Sequence, residues 1–318
     1  MVTTQPSESR PPQPVPLAGK RILVTGVTGM VAGPMAAQLV AAGNTVYGAA
    51  RFADPAQREP HEANGISTIR VDLEHGELDK VPDGLDVVLH FAVAKTNDFA
   101  RDLTANAEGT ANLMEKVQGV DAFFHCSSGG VYQEHEHDHL KEDAPLGDSH
   151  RAAGMESYSI SKIAAETMVQ YTAKRLGIPT VIARLSVPYG DTFGWPFFHV
   201  MMLEHGMAIP VHTDAPSQYN PLNLDDIVAS LPYLLASAST PANVVNWGGD
   251  EVVSVEEWCG LIGELIDKPV QFEFTDASVP PLILDVGKLN DLGFHSSVTW
   301  QDGITRLVRT SRPDLVAS

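Results

Sequence analysis

The stretch RILVTGVTGMVAGPMAAQLVAAGNTVYGAA, residues 21 to 50, decides the fold. It opens with RILVT (21–25), a short apolar run that stops at Gly26. Residues 30–43 then place apolar side chains at helical spacing and end on Gly43, a helix C-cap signal. TVYGAA (45–50) is again a strand. Strand, glycine turn, helix and strand make the repeating unit of a parallel sheet. Gly26 permits a tight turn. Gly29 lets the backbone approach an anion at the helix N-terminus, where free N–H groups and the helix dipole favour negative charge. Glycines mark any strand-to-helix turn, so it is the position directly after the first strand that points to a dinucleotide pyrophosphate.

The same rhythm continues. Apolar runs at 66–72, 85–94, 121–127 and 180–186 alternate with helical stretches, notably 98–118 and 157–176. Such alternation predicts an α/β fold, a doubly wound parallel sheet with helices on both faces, whose ligands bind beyond the carboxyl ends of the strands. Residues 19–186 read as a dinucleotide-binding Rossmann domain. After about residue 187 the rhythm breaks, and 187–318 reads as a smaller α/β substrate lobe, with 223–247 packing back on the first domain. Ser254 with Glu257 has capping-box spacing and opens a helix there. Residues 1–18, rich in Pro and Ser and without an apolar signal core, read as a disordered lead-in.

The chain has 318 residues and a formal charge of -19. So acidic a surface argues against nucleic acid and anionic membranes as partners, and leaves a small-molecule substrate. No apolar run approaches the ~18 residues of a membrane span. Cys126 and Cys259, far apart, read as free thiols in a reducing compartment, and the expected location is the cytoplasm.

Two further segments carry chemistry. Tyr158 and Lys162 are four residues apart, which on a helix puts both on one face. A phenol has a reference pKa near 10, and a nearby ammonium together with an oxidised nicotinamide favours its ionised form. The second segment is HCSSGGVYQEHEHDH (125–139). Its front half ends an apolar strand on Ser127 and Ser128. Its back half alternates His135, His137 and His139 with carboxylates, a pattern that can bind zinc. A polar run between a strand and a helix is more often a solvated loop, here about 133–150, bordering a cleft. No metal is expected.

With Gly26-x-x-Gly29-x-x-Ala32 on the first turn and Tyr158-x-x-x-Lys162 beyond Ser128-Gly129-Gly130-Val131-Tyr132, the chain resembles the extended branch of the short-chain dehydrogenase/reductase superfamily, the NAD-dependent epimerase/dehydratase family. The resemblance covers nearly all of residues 20–310. It implies Tyr158 as the acid/base, Lys162 as its cationic support and Ser128 as the hydroxyl beside the reacting oxygen, with Gly129, Gly130 and Tyr132 near the substrate. For the cofactor it implies Gly26, Thr28, Gly29, Met30 and Val31 at the pyrophosphate, Asp72 and Leu73 beside adenine, and further contacts from Asn106, Tyr158, Lys162 and Val187. HFAVAK (90–95) resembles the HFAGLK of UDP-galactose 4-epimerases, which brings Phe91, Ala92 and Val93 to the cofactor and Lys95 to its phosphates or ribose. Asn106 matches the family's Asn-x-x-Gly-Thr helix, where it supports the lysine. Family members also pair through the helices corresponding to 98–118 and 157–176, which implies a homodimer.

Three departures are informative. The second strand ends on Ala50-Arg51, without the carboxylate that binds a ribose 2′-hydroxyl, so a cation stands where a 2′-phosphate would lie. This favours NADP(H), with NAD(H) as the alternative. Val187 replaces an Asn, and Tyr219 replaces an Arg, that serve sugar nucleotides in the family. The lobe instead offers Trp195, Phe197, Phe198, Met201 and Met202, with Trp195 and Phe198 as candidates for the cleft. These features lead to an expected NAD(P)-dependent oxidoreductase acting on the carbonyl of a small apolar substrate. The alternatives are a nucleotide-sugar epimerase or dehydratase, and a non-catalytic dinucleotide sensor, which would not need Ser128, Tyr158 and Lys162.

Overall fold

Seven strands of the chain lie side by side in one sheet, all parallel. The computed structural model describes residues 12–133, 136–148 and 155–315. In chain order its elements are β1 (Arg21–Thr25), α1 (Ala32–Ala41), β2 (Thr45–Ala50), α2 (Glu59–Ala63), β3 (Ser67–Arg70), β4 (Val87–His90), α3 (Phe99–Leu103), α4 (Gly109–Lys116), β5 (Ala122–Ser128), β6 (His139–Leu140), α5 (Tyr158–Leu176) and β7 (Thr180–Leu185). Then follow β8 (Val187–Gly190), β9 (Phe193–Gly194), α6 (Trp195–Glu204), β10 (Ile209–Val211), β11 (Gln218–Tyr219), β12 (Pro221–Asn223), α7 (Leu224–Ala236), β13 (Asn243–Trp247), β14 (Val253–Ser254), α8 (Val255–Leu265), β15 (Phe272–Phe274), β16 (Ile283–Leu284), α9 (Gly287–Asp291) and α10 (Trp300–Ser311).

The sheet order is β13-β7-β5-β4-β1-β2-β3. Successive side chains on a strand point to opposite faces. Ile22, Val24 and Phe124 therefore enter a core with α1 and α7, while Leu23 and Phe123 enter a second core with α4 and α5. Strand order reverses direction between β1 and β4, the switch point at which such sheets open a crevice beyond their carboxyl ends. A third core belongs to the lobe. Trp258, Ile262, Leu203 and Leu307 from α8, α6 and α10 close around it. α8 carries the capping box: the Ser254 hydroxyl accepts from Glu257 N, and the Glu257 carboxylate accepts from Ser254 N.

The structure redraws several sequence expectations. The stretch 98–118 is not one regular helix, because a π-helical turn at Thr104–Glu108 separates α3 from α4. β13 is a seventh core strand, and α7 packs beside α1 with Ile227, Leu231 and Leu234 in the first core. The end of the expected disordered lead-in forms a strap from residue 12: Val15 N donates to Pro232 O at 3.0 Å, and Val15 and Leu17 lie against the core. Part of the histidine run is also structured. β6 pairs with β16 of the lobe, and His137 bridges Gln218 and Asp214 at 3.2 and 3.3 Å. His135 lies outside the described residues. Among them no group of histidine, cysteine and carboxylate side chains is arranged to hold a metal, and no helix is long and apolar enough to cross a membrane.

Candidate active site

Thr25 ends β1, and the chain turns at Gly26 with φ +72°. A Cβ at Gly26 would lie 2.8 Å from backbone atoms of Ala92, so only glycine lets this turn sit under the end of β4. α1 then begins without a side-chain cap at Val31. Gly33 N donates to Gly29 O at 3.2 Å and Pro34 has no N–H, so at this helix start it is the Ala32 N–H that is left for an anion. An open cleft lies there, lined by Gly26, Thr28, Arg51, Asp72, Leu73, Ala92, Val93 and Asn106 among the expected cofactor residues. Sequence reasoning missed Glu74, Ala94 and Ala105, which also line it. A glycine turn, an uncapped helix start and a cleft lined by the ends of β1, β2 and β4 fit a dinucleotide. Arg51 is exposed on the rim and, among the described residues, forms no ion pair, whereas Glu74 is gripped by Arg101 at 2.7 and 2.9 Å.

Other expected cofactor contacts fall elsewhere. The Phe91 ring stacks on Phe124 at 5.6 Å and meets Trp247 edge-on, so that side chain belongs to the core. Gly29, Met30 and Val31 continue the turn, with Met30 exposed to solvent and Val31 against the first core. Val187 is buried in the lobe core. Lys95 extends over the ring of Tyr158, 4.5 Å from its centroid, rather than along the cleft. Asn106 sits in the π-helical turn. Its amide donates to Ala94 O and Ser161 Oγ at 2.9 and 3.1 Å and accepts from Ala94 N at 2.7 Å.

The three residues expected to act together do meet. Tyr158 opens α5, Lys162 follows one turn later, and β5 ends beside them on Ser128. Tyr158 and Ser128 share a hydrogen bond. Lys162, buried, donates to Cys126 O at 2.7 Å. Gly130 N donates to Ser128 Oγ at 3.1 Å, and Ser159 Oγ donates to Gly130 O at 2.6 Å, so the glycine turn holds both strand end and helix start. Gly129 is packed beneath Leu282, where a Cβ would come within 2.4 Å of it. Tyr132, expected near substrate, is fully buried. Its hydroxyl donates to Asn246 Oδ1 at 2.6 Å and Arg184 covers its ring at 4.7 Å.

Electrostatics around the phenol run against the expectation. Burial pushes Tyr158 up to about 12, opposed by the Ser128 hydrogen bond and reinforced by Cys126. Burial also lowers the ammonium of Lys162 and that of Lys95. In the protein alone, desolvation outweighs the lysine, whose charge is turned to the Cys126 carbonyl.

Beneath the site lies a fixed polar chain. Thr25 Oγ1 accepts from the amides of Phe91 and Ala92, and so donates to His90 Nδ1 at 2.7 Å. His90 Nε2–H then donates to Thr110 Oγ1 at 2.8 Å, and Thr110 donates to Asn106 O at 2.6 Å. This order makes His90 a neutral Nε2–H tautomer. Burial, with Lys162 second, pushes its pKa to about 3.

A second pocket, of about 670 Å³, lies in the lobe between α6 and the strands that follow it. Trp195 and Phe198 line it, as do His199, Tyr219 and Ser217, and none of its lining residues is a lysine or arginine. The Trp258 indole donates to His199 Nδ1 at 2.8 Å, which leaves the His199 proton on Nε2. The Tyr219 hydroxyl is engaged with Val279 O and Pro280 O.

Comparisons with known proteins agree with this geometry. The model of the NAD dependent epimerase/dehydratase family matches residues 22–210. A trifunctional UDP-glucose 4,6-dehydratase/UDP-4-keto-6-deoxy-D-glucose 3,5-epimerase/UDP-4-keto-L-rhamnose-reductase of Arabidopsis thaliana is 26% identical over 320 residues, 90% of this chain and 46% of the plant protein. This chain thus spans about half the length of that relative. The dTDP-4-dehydro-6-deoxyglucose reductase of Escherichia coli is 23% identical over 68% of each chain. Among solved structures, the dTDP-glucose 4,6-dehydratase of Streptomyces venezuelae with NAD bound superposes with TM-score 0.78 at 21% identity, over 92% of this chain and 97% of that one. The UDP-glucuronic acid 4-epimerase of Bacillus cereus with UDP-glucuronic acid and NAD gives 0.78 at 22%, over 92% and 99%. Sheet, glycine turn, tyrosine–lysine helix and matched residues lead to one conclusion: the chain belongs to the NAD-dependent epimerase/dehydratase family and is an enzyme of it.

Proposed function

We propose that the chain transfers hydride between a nicotinamide dinucleotide and a carbinol or keto carbon of a nucleotide-linked sugar, as an epimerase, dehydratase or reductase. The observation that carries this reading is the meeting of Ser128, Tyr158 and Lys162 at the end of β5. When bound, the nicotinamide supplies hydride chemistry. The chain's own groups manage the proton. Tyr158 takes it from the substrate hydroxyl or returns it to the carbonyl oxygen, Ser128 hydrogen-bonds that oxygen, and Lys162 stabilises the phenolate. The names of the relatives, enzymes of UDP- and dTDP-sugars, support this substrate class over the small apolar carbonyl compound expected from sequence.

One observation keeps reduction of an uncharged carbonyl compound as a second reading. Among the described residues no lysine or arginine lines the lobe pocket, and its His199 offers a neutral N–H. Absorbance at 340 nm with product analysis separates the two. Conversion of a UDP- or dTDP-hexose supports the first. Steady NADPH loss with apolar ketones, and none of those hexoses converted, supports the second.

Further parts of the reading are proposals of the same kind. Arg51 on the cleft rim supports NADP(H), although the superposed enzymes carry NAD. Residues 19–186 act as the dinucleotide unit, and 187–318 mostly as the substrate unit. Exposed Phe99, Ile160 and Tyr171 on α3 and α5 support a homodimer across those helices. Two buried free thiols support a reducing compartment such as the cytoplasm.

A further inference from the structure

We infer that Asp102 is a positioning residue. Its buried carboxylate ties the loop carrying Lys95 to the start of the helix carrying Tyr158, and so holds the Lys95 ammonium over the phenol ring. The inference rests on the proposed role of Tyr158.

Asp102 lies in α3 with 0% of its surface exposed. A buried carboxylate must have its oxygens satisfied. Here the donors come from two distant segments. Thr96 N donates to both oxygens at 3.0 and 3.1 Å, Thr96 Oγ1 donates at 2.8 Å, and Asn97 N at 3.2 Å. Ser157 Oγ donates at 2.5 Å from 55 residues away. Asn97 has φ 59°, the left-handed turn that aims two successive amides at one anion. These bonds hold Asp102 below the usual carboxylate range against the opposing effect of burial.

The placement is specific to the proton-transfer group. Thr96 directly follows Lys95, and Ser157 directly precedes Tyr158. One carboxylate therefore grips the chain one residue from each partner of the 4.5 Å cation–ring contact. Among the described residues, Ser128 and Cys126 from β5 act on Tyr158 and Lys95 from the loop lies over its ring, while Lys162 follows one turn on along the same helix. Lys162 also donates to the Cys126 carbonyl, and among the described residues Lys95 is the cation placed over the ring face. A cation there favours the phenolate that accepts the proton.

NMR of protein labelled with ¹³C at lysine Cε tests this without a substrate. Ring current displaces the Lys95 ε-methylene protons upfield in the wild type, and Tyr158→Leu, which removes the ring, identifies the resonance. Asp102→Asn places an amide against two N–H donors. Ser157→Ala removes only the link to α5. Each is expected to reduce the displacement by at least about half while the other lysine resonances stay in place. Full displacement in both variants overturns the inference. Kinetics supply the second arm. Asp102→Asn and Lys95→Gln should each lower kcat by about tenfold with KM within about twofold, and the double variant should be no slower than either single one. A multiplicative loss of about a hundredfold in the double variant also overturns it. A protein inert toward every sugar nucleotide defeats the proposed function instead, and the NMR arm still decides Asp102.

Discussion

Two stacked, buried histidines weaken the fold as the pH falls. His90 and His125 stack at 5.4 Å on neighbouring strands, and burial lowers the pKa of both. Their folded values lie below the unfolded value near 6.5, so the stability they contribute is present above that pH and is lost as pH falls below it, for His90 down to about 3. Each removes about 1.4 kcal/mol per pH unit below 6.5. Urea midpoints at pH 7, 6 and 5 should fall accordingly. Neither ring nitrogen of His125 has a partner among the described residues, so His125→Leu should flatten the slope and cost little at pH 7. At the cleft rim, Arg51→Ala should weaken NADP(H) by about tenfold and leave NAD(H) unchanged in fluorescence titration. Equal loss of both cofactors would remove Arg51 from the choice. Legibility at this scale followed motif spacing. Ser128, Tyr158 and Lys162 stand at separations a reader can check. Asp102 and Ser157 lie 55 residues apart and become partners only through the fold.

α5 carries more than the proton-transfer pair. Glu166, one turn beyond Lys162, accepts from Ser127 Oγ at 2.5 Å and from Arg184 at 3.0 and 2.8 Å, all buried. This ion pair locks α5 to β5 and β7 just behind the site. Glu166→Leu leaves a buried guanidinium unpaired and should cost about 3–5 kcal/mol in urea unfolding. A loss within about 0.5 kcal/mol would mean that Arg184 finds another partner. Elements with strong periodicity were readable from sequence, as β1, β2 and α5 demonstrate. The π-helical turn before α4 was not, because it depends on Asn106 gripping both the N–H and the C=O of Ala94, a contact across two elements. β13 was also overlooked as a strand. NVVNW is short, and its burial comes from α7 and β7 rather than from any pattern of its own.

At the scale of the whole molecule, a dinucleotide-fitting sheet and a lobe with its own core meet at the end of β5. The lobe misled the sequence reading. Trp195, Phe197 and Met202 pack against Trp258 and its neighbours, so their apolar character serves folding as well as any ligand. Exposed Ile160 and Tyr171 on α5 lead to a prediction about assembly. Sedimentation at micromolar concentration should give a dimer, and Tyr171→Glu should shift it toward monomer, whereas a wild-type monomer would refute the interface. The proposed reaction joins the cofactor cleft, the Tyr158 site and a nucleotide-linked sugar. Its most direct test is rapid mixing of the protein, loaded with oxidised dinucleotide, with dTDP- and UDP-hexoses at 340 nm. An absorbance rise is expected with at least one hexose, slowed by about 10²–10⁴ in Tyr158→Phe. No rise with any of them, or an equal rate in Tyr158→Phe, would contradict it.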